Sequence, residues 1–163
     1  MSVTEEFLNS NEVYAQSSFE GPLQLAPARR LAVVACMDAR LDIYRILGLN
    51  EGDAHVIRNA GGVVTDDAVR SLAISQRLLG TRKIFLIHHT DCGMLTFTDD
   101  NFKRDIENET GIRPPWAAEA FTDLEEDVRQ SIRRITVSPF IPHTEVIRGF
   151  IFDVATGRLK EVA

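Results

Sequence analysis

Leu31-Ala32-Val33-Val34-Ala35-Cys36-Met37-Asp38-Ala39-Arg40 is the stretch on which the reading of this chain turns. An uninterrupted apolar run ends abruptly in a cysteine, an acid and an arginine. A short run with no polar alternation fits a strand buried on both faces, and strands of that kind belong to parallel sheets. Ile84-Phe85-Leu86-Ile87 repeats the pattern and runs on into His88-His89. Working outward, His55-Val56-Ile57-Arg58 reads as a weaker second strand, and residues 146–154 contain a fourth. Ala155-Thr156-Gly157-Arg158 then turns the chain into a short last strand at residues 159–162.

Helices fill the intervals. The first 25 or so residues read as an N-terminal helical arm, with its helix at residues 4–15, leading to Gly21-Pro22 and Pro27. Thr65-Asp66-Asp67 caps a helix that runs to Leu79 and stops at Gly80. Thr98-Asp99-Asp100 starts another, and Thr122-Asp123-Leu124-Glu125 has the form of a capping box ahead of Leu124, Val128, Ile132 and Ile135. Gly111-Ile112-Arg113-Pro114-Pro115-Trp116 ends a helix without separating domains. Buried strands alternating with helices predict an α/β fold, with a mainly parallel central β-sheet flanked by helices, in one domain spanning residues 1–163.

Composition narrows the function classes. The 163 residues are 44% hydrophobic and 26% charged, which are globular values. No apolar run approaches the roughly 20 residues of a membrane span, and the acidic start Met1-Ser2-Val3-Thr4-Glu5-Glu6 is unlike a signal peptide. A cytoplasmic protein with no membrane partner is expected. Eighteen Lys and Arg against 24 Asp and Glu give a formal charge of -6. With its basic residues scattered, the chain lacks the positive stripe that neutralises phosphates, so no nucleic-acid partner is expected. Without an export signal, the two cysteines, Cys36 and Cys92, more naturally bind metal or stay reduced than form a disulfide.

The chemistry gathers in Cys36-Met37-Asp38-Ala39-Arg40, Arg58-Asn59-Ala60-Gly61-Gly62 and His89-Thr90-Asp91-Cys92-Gly93. Ligands of open parallel sheets sit beyond the carboxyl ends of the strands, which is where both cysteines fall. A His-x-x-Cys leaving one strand supplies two zinc ligands, and Cys36 from the neighbouring strand supplies a third. Three protein ligands leave one tetrahedral position free, the mark of a catalytic zinc. Two cysteines at strand ends also read as small core residues. Against that stands a cluster of charge where an apolar strand should still be burying itself. Neighbouring residues on a strand face opposite ways, so His89 faces the metal and His88 packs on the other side. His55 and His143 read as structural or exposed. Thr90 and Asp91 either orient ligands or cap the turn that Cys92-Gly93 begins. Phe97, Phe102, Trp116 and Tyr44 read as core or interface residues. Gly61-Gly62 has neither the spacing nor the basic partner of a phosphate-binding loop.

Cys36-x-Asp38-x-Arg40, then Arg58-Asn59-Ala60-Gly61, then His89-x-x-Cys92-Gly93 resembles the β-class carbonic anhydrases, and most of all their shorter bacterial members. The likeness is firm over residues 33–93 and looser over 148–158. It implies a zinc hydro-lyase (a carbonate dehydratase) with one Zn2+ per subunit, held by Cys36, His89 and Cys92. Asp38 and Arg40 map onto the catalytic dyad, and Asn59, Ala60, Gly61, Gly62 and Gly93 onto the substrate pocket. The implied reaction is the reversible hydration of carbon dioxide to bicarbonate and a proton, by zinc-bound hydroxide oriented by the dyad. Two thiolates make the metal a weaker Lewis acid than three histidines do, so activity is expected to rise on the alkaline side of neutral. Arg40 is expected to hold Asp38 by a charge-assisted pair; released, Asp38 becomes a fourth metal ligand in a closed state. The implied assembly is a homodimer or a dimer of dimers, with the arm at residues 1–25 packing on the partner subunit. Gln16 and Gln24, the only glutamines ahead of Cys36, sit in no matching motif for the cleft glutamine of longer members. Carbonyl sulfide or carbon disulfide hydrolysis at the same site is the nearest alternative. A non-catalytic zinc or thiol sensor, with Asp38 as fourth ligand, is another.

Overall fold

The computed structural model describes residues 2–163; Met1 lies outside them. Its centre is a five-stranded sheet in the order β2-β1-β3-β4-β5. The strands are β1 (Leu31–Cys36), β2 (Ala54–Asn59), β3 (Lys83–His89), β4 (Val146–Asp153) and β5 (Arg158–Glu161). The first four pair in parallel and β5 runs antiparallel to β4. Five α-helices accompany them: α1 (Val3–Ser17), α2 (Ile43–Leu47), α3 (Asp66–Arg77), α4 (Asp99–Thr110) and α5 (Leu124–Val137). The mainly parallel α/β architecture expected from the apolar runs is the one observed.

Every residue of β1 is buried, and from Leu31 to Ala35 its side chains alternate between two apolar layers, Cys36 joining the layer of Leu31. Leu31, Val33 and Ala35 join Leu41, Ile43, Ile87 and Phe152 on one face. Ala32 and Val34 join Leu72, Ile84, Leu86 and Ile135 on the other, under α3 and α5. Fully burying each large aliphatic side chain contributes roughly 1.5–3 kcal/mol, which is why an all-apolar strand settles inside the sheet, paired on both sides. The same parity carries to the end of β3. His88 follows Ile84 and Leu86 toward α5, whereas His89 follows Phe85 and Ile87 toward the face holding both cysteines.

Caps set the helix boundaries. Ser2 accepts from the Glu5 amide while Glu5 accepts from the Ser2 amide, so α1 begins one residue before and ends two after the expected span. Thr65 and Thr98 cap α3 and α4 as expected. At α5 the cap is Asp123, accepting from the Glu126 amide, and not the Thr122 of the apparent capping box. The short α2, capped by Asp42, carries no periodic signal long enough to be read in the sequence.

Candidate metal centre

β1 connects to β2 on one side, and the chain then returns to place β3 on the other side of β1. The order therefore reverses between β1 and β3, and a crevice opens at their carboxyl ends. Cys36 is the last residue of β1 and His89 the last of β3. Cys92 follows in the loop that leads to the 3₁₀ turn Gly93–Leu95. One ligand atom from each of these three residues lies within 4.8 Å of the other two, and all three side chains are buried.

The polar atoms around them fit a metal. His89 Nδ1 lies 2.8 Å from the Thr90 carbonyl, which can only accept, so Nδ1 carries the proton and Nε2 is left with its lone pair. Nε2 is buried and has no hydrogen-bond partner among the described residues. An acceptor abandoned in a protein interior calls for an occupant. Tetrahedral zinc, with bonds of about 2.0–2.3 Å, spaces its ligands at about 3.5 Å, so the three atoms need only a small inward movement to share one ion. A hydrogen bond from Cys92 draws the Cys36 thiol well below its usual range, while the same bond and burial push Cys92 up. Burial opposes charge on His89, but the neighbouring Cys36, the Thr90 carbonyl and Asp38 outweigh it and raise the imidazole pKa.

Asp38 and Arg40 form the second layer. Arg40 grips the Asp38 carboxylate with Nε and Nη2 at 2.9 and 2.8 Å, and its backbone amide adds a third bond at 2.9 Å. These donors hold the Asp38 carboxyl far below the usual carboxylate range, and hydrogen bonds to Asp38 and Asp91 raise Arg40 in turn. So restrained, Asp38 Oδ2 stands 3.7 Å from His89 Nε2. A cavity of about 390 Å³ opens here, lined by Asp38, Ala60, Gly61, Gly93, Met94 and Phe97 besides the ligand residues. Asn59 and Gly62, expected in the same pocket, stand elsewhere. Asn59 lines a neighbouring cavity, and Gly62 is wedged against the ends of β1 and β3. A Cβ on Gly62 would meet the Cys36 backbone nitrogen at 2.7 Å, and its φ is +69°. Glycine is what allows this turn to press on the ligand strand.

The family model for carbonic anhydrase matches residues 31–159. The chain belongs to the β-class carbonic anhydrases. A beta-carbonic anhydrase from Mycobacterium tuberculosis is 66% identical over 162 residues, covering 99% of both chains. The crystal structure of a carbonic anhydrase from Streptococcus mutans superposes with a TM-score of 0.93 at 44% identity, covering 100% of this chain and 99% of that one. A more distant relative, 32% identical over 98% of this chain and 90% of its own, is a carbon disulfide hydrolase from Acidithiobacillus thiooxidans. As a β-class carbonic anhydrase the protein is an enzyme of the lyase class.

Several partners at the β-class site escaped the sequence. Arg58 donates to the Cys36 carbonyl at 2.8 and 3.0 Å and to the Asp38 carbonyl at 2.7 Å, clamping the loop that carries ligand and acid. The sequence singles out the Arg58-Asn59-Ala60-Gly61 segment but not the bonds that Arg58 makes. His88 Nε2 donates to Asp127 of α5 at 2.7 Å, a pairing across 39 positions that no local pattern announces. Of the two roles open to Asp91, neither is the one observed: it accepts from Arg40. Thr90 serves through its carbonyl on His89 and its hydroxyl on the Val154 amide. His55 bonds Ser75 and His143 faces Arg82, and neither lines the cavity. Tyr44, Phe102 and Trp116 are part-exposed and outside the core.

Proposed function

We propose that this chain hydrates carbon dioxide reversibly to bicarbonate and a proton, with Cys36, His89 and Cys92 holding one Zn2+ per subunit. The observation that carries the reading is the buried, partnerless Nε2 of His89 beside two buried cysteines, with one ligand atom from each of the three residues within 4.8 Å of the others. Bound there, zinc would supply a Lewis acid that makes water a nucleophile near neutral pH, less strongly than with three histidines. Asp38, ionised and held by Arg40, offers an acceptor that would take a hydrogen bond from a water beside the three ligands and orient it. Ala60, Gly61 and Gly93 leave room beside it, while Met94 and Phe97 give the cavity an apolar wall suited to an uncharged linear substrate. Arg40 disfavours the sensor reading, because a closed structural site has no use for a residue that holds its fourth ligand away.

The functional unit is read as one catalytic domain, residues 1–163, working as a homodimer or a dimer of dimers. Two features call for a second copy. Strand β2 is an unpaired edge of the sheet, and α1 buries none of its residues, leaving Phe7 and Leu8 about two-thirds exposed. The arm touches the body through Tyr14, whose hydroxyl donates to Glu51. No helix among the described residues is long and apolar enough to cross a membrane. Ligand thiols that must stay reduced suit the cytoplasm.

Stopped-flow hydration of carbon dioxide, run with zinc analysis on the wild type and on Cys92→Ala, tests the reading. We expect about one zinc per chain and rapid hydration in the wild type, rising toward alkaline pH, and loss of both in the variant. Consumption of carbonyl sulfide and carbon disulfide is measured in parallel. Release of sulfide with negligible hydration would replace carbon dioxide as the substrate, and zinc without either reaction would favour the sensor.

A further inference from the structure

Arg40 is held on two edges. Its Nε and Nη2 face Asp38, while Nη1 donates to Asp91 Oδ2 at 2.9 Å and Nη2 also donates to the Asp91 carbonyl at 3.0 Å. A planar guanidinium offers five N–H donors in a fixed fork, and the two acids take up opposite edges of it. Asp91 sits between the ligands His89 and Cys92, so Arg40 also ties the loop after β1 to the loop after β3. The backbone of Asp91 is left-handed, with φ of +55°, an uncommon state for a residue with a side chain. In that conformation both its carbonyl and its carboxylate accept from Arg40. The Asp91 side chain is 79% exposed, so packing does not account for it.

We propose that Asp91 is a positioning residue: it anchors the outer edge of Arg40, and a fixed Arg40 keeps Asp38 turned away from the metal ligands and toward the reacting water. The proposal rests on the hydration reading above for its catalytic consequence, but the anchoring itself belongs to this chain's own side chains. Without the Asp91 carboxylate, Nη1 loses its acceptor and the guanidinium is held on one edge by Asp38 with the Asp91 carbonyl. Asp38, already 3.7 Å from His89 Nε2, then gains access to the ligand triangle.

Asp91→Asn tests this directly, since asparagine tolerates the left-handed turn and keeps the backbone carbonyl while removing the charge. Asp91→Gly removes the side chain altogether and suits the same turn, so a turn-making role is satisfied in both variants. We expect kcat to fall roughly three- to fivefold, the most an exposed ion pair is normally worth, with KM and zinc content unchanged. In the metal-free protein the Arg40 Nε–H signal, followed by nitrogen-proton NMR, should exchange with water faster in both variants. Wild-type kcat together with wild-type Arg40 exchange would overturn the proposal, as would a lower kcat with unchanged Arg40 exchange. Should the wild type fail to hydrate carbon dioxide, the hydration reading falls, and Arg40 exchange in the metal-free protein still decides whether Asp91 anchors it.

Discussion

The carboxyl ends of β1 and β3 and the outer flank made by β2 and α1 belong to one sheet-centred structure, yet they are finished to different degrees. At the first, three ligand side chains converge in the interior, and Arg40, Arg58 and the Thr90 carbonyl fix their surroundings with named bonds. At the second, β2 leaves its outer edge open, and α1 has Phe7, Leu8 and Val13 in solvent. The candidate ligand set thus lies within one chain, whereas the flank leaves a strand edge and apolar side chains uncovered among the described residues. Chemistry and assembly should therefore separate under mutation.

Four perturbations sharpen or break that contrast. Gly62→Ala should do most damage, because the added Cβ meets the Cys36 nitrogen at 2.7 Å in a turn that already needs positive φ. Overpacking and backbone strain together should cost about 2–5 kcal/mol, read by chemical denaturation, and zinc content should drop with it. An unimpaired Gly62→Ala would mean that the ligand strand is not braced from this side. Arg40→Ala should retain zinc while losing turnover by roughly tens of fold, the scale of a charge-assisted hydrogen bond. Near-normal turnover there would remove the dyad from the mechanism.

Deleting residues 1–20 attacks the flank alone. Self-association followed by sedimentation should weaken by about tenfold or more as the contributions of Phe7, Leu8 and Val13 are lost, with zinc stoichiometry unchanged. A truncated protein that stays dimeric would leave α1 without its assigned place. The smallest effect is expected at His55 on β2, whose pKa burial depresses. Its unfolded form takes up a proton first as the pH falls. The stability that His55 contributes is therefore complete above its ordinary pKa of about 6.5 and is lost as acid carries the pH down through the lower folded value. A wild type that loses no more stability than His55→Gln between pH 7 and pH 5 would contradict this.

Much of the site was legible because its parts are local. Strand parity put His88 and His89 on opposite faces, and in the structure His88 bonds Asp127 of α5 while His89 groups with Cys36 and Cys92. His-x-x-Cys at the end of an apolar run fixed two candidate ligands, and a second strand ending in cysteine supplied the third. What could not be read are contacts between distant segments. Asp127 on His88, Asp91 on Arg40, and Arg58 on the Cys36 carbonyl all join residues with no periodic relation. The cap of α5 was misplaced because Thr122 and Asp123 both carry capping side chains, and only the entry angle of the chain selects between them.

Composition and periodicity alone determined an α/β sheet with buried parallel strands, since burying an all-apolar run on two faces leaves little choice. The residue types at the strand ends likewise settled what chemistry was available. Strand order, and with it the crevice between β1 and β3, came from tertiary pairing, as did the shared grip of Arg40 on two acids and the exposed flank of α1 and β2. Those features depend on free-energy differences between whole packings, which no single window of sequence contains.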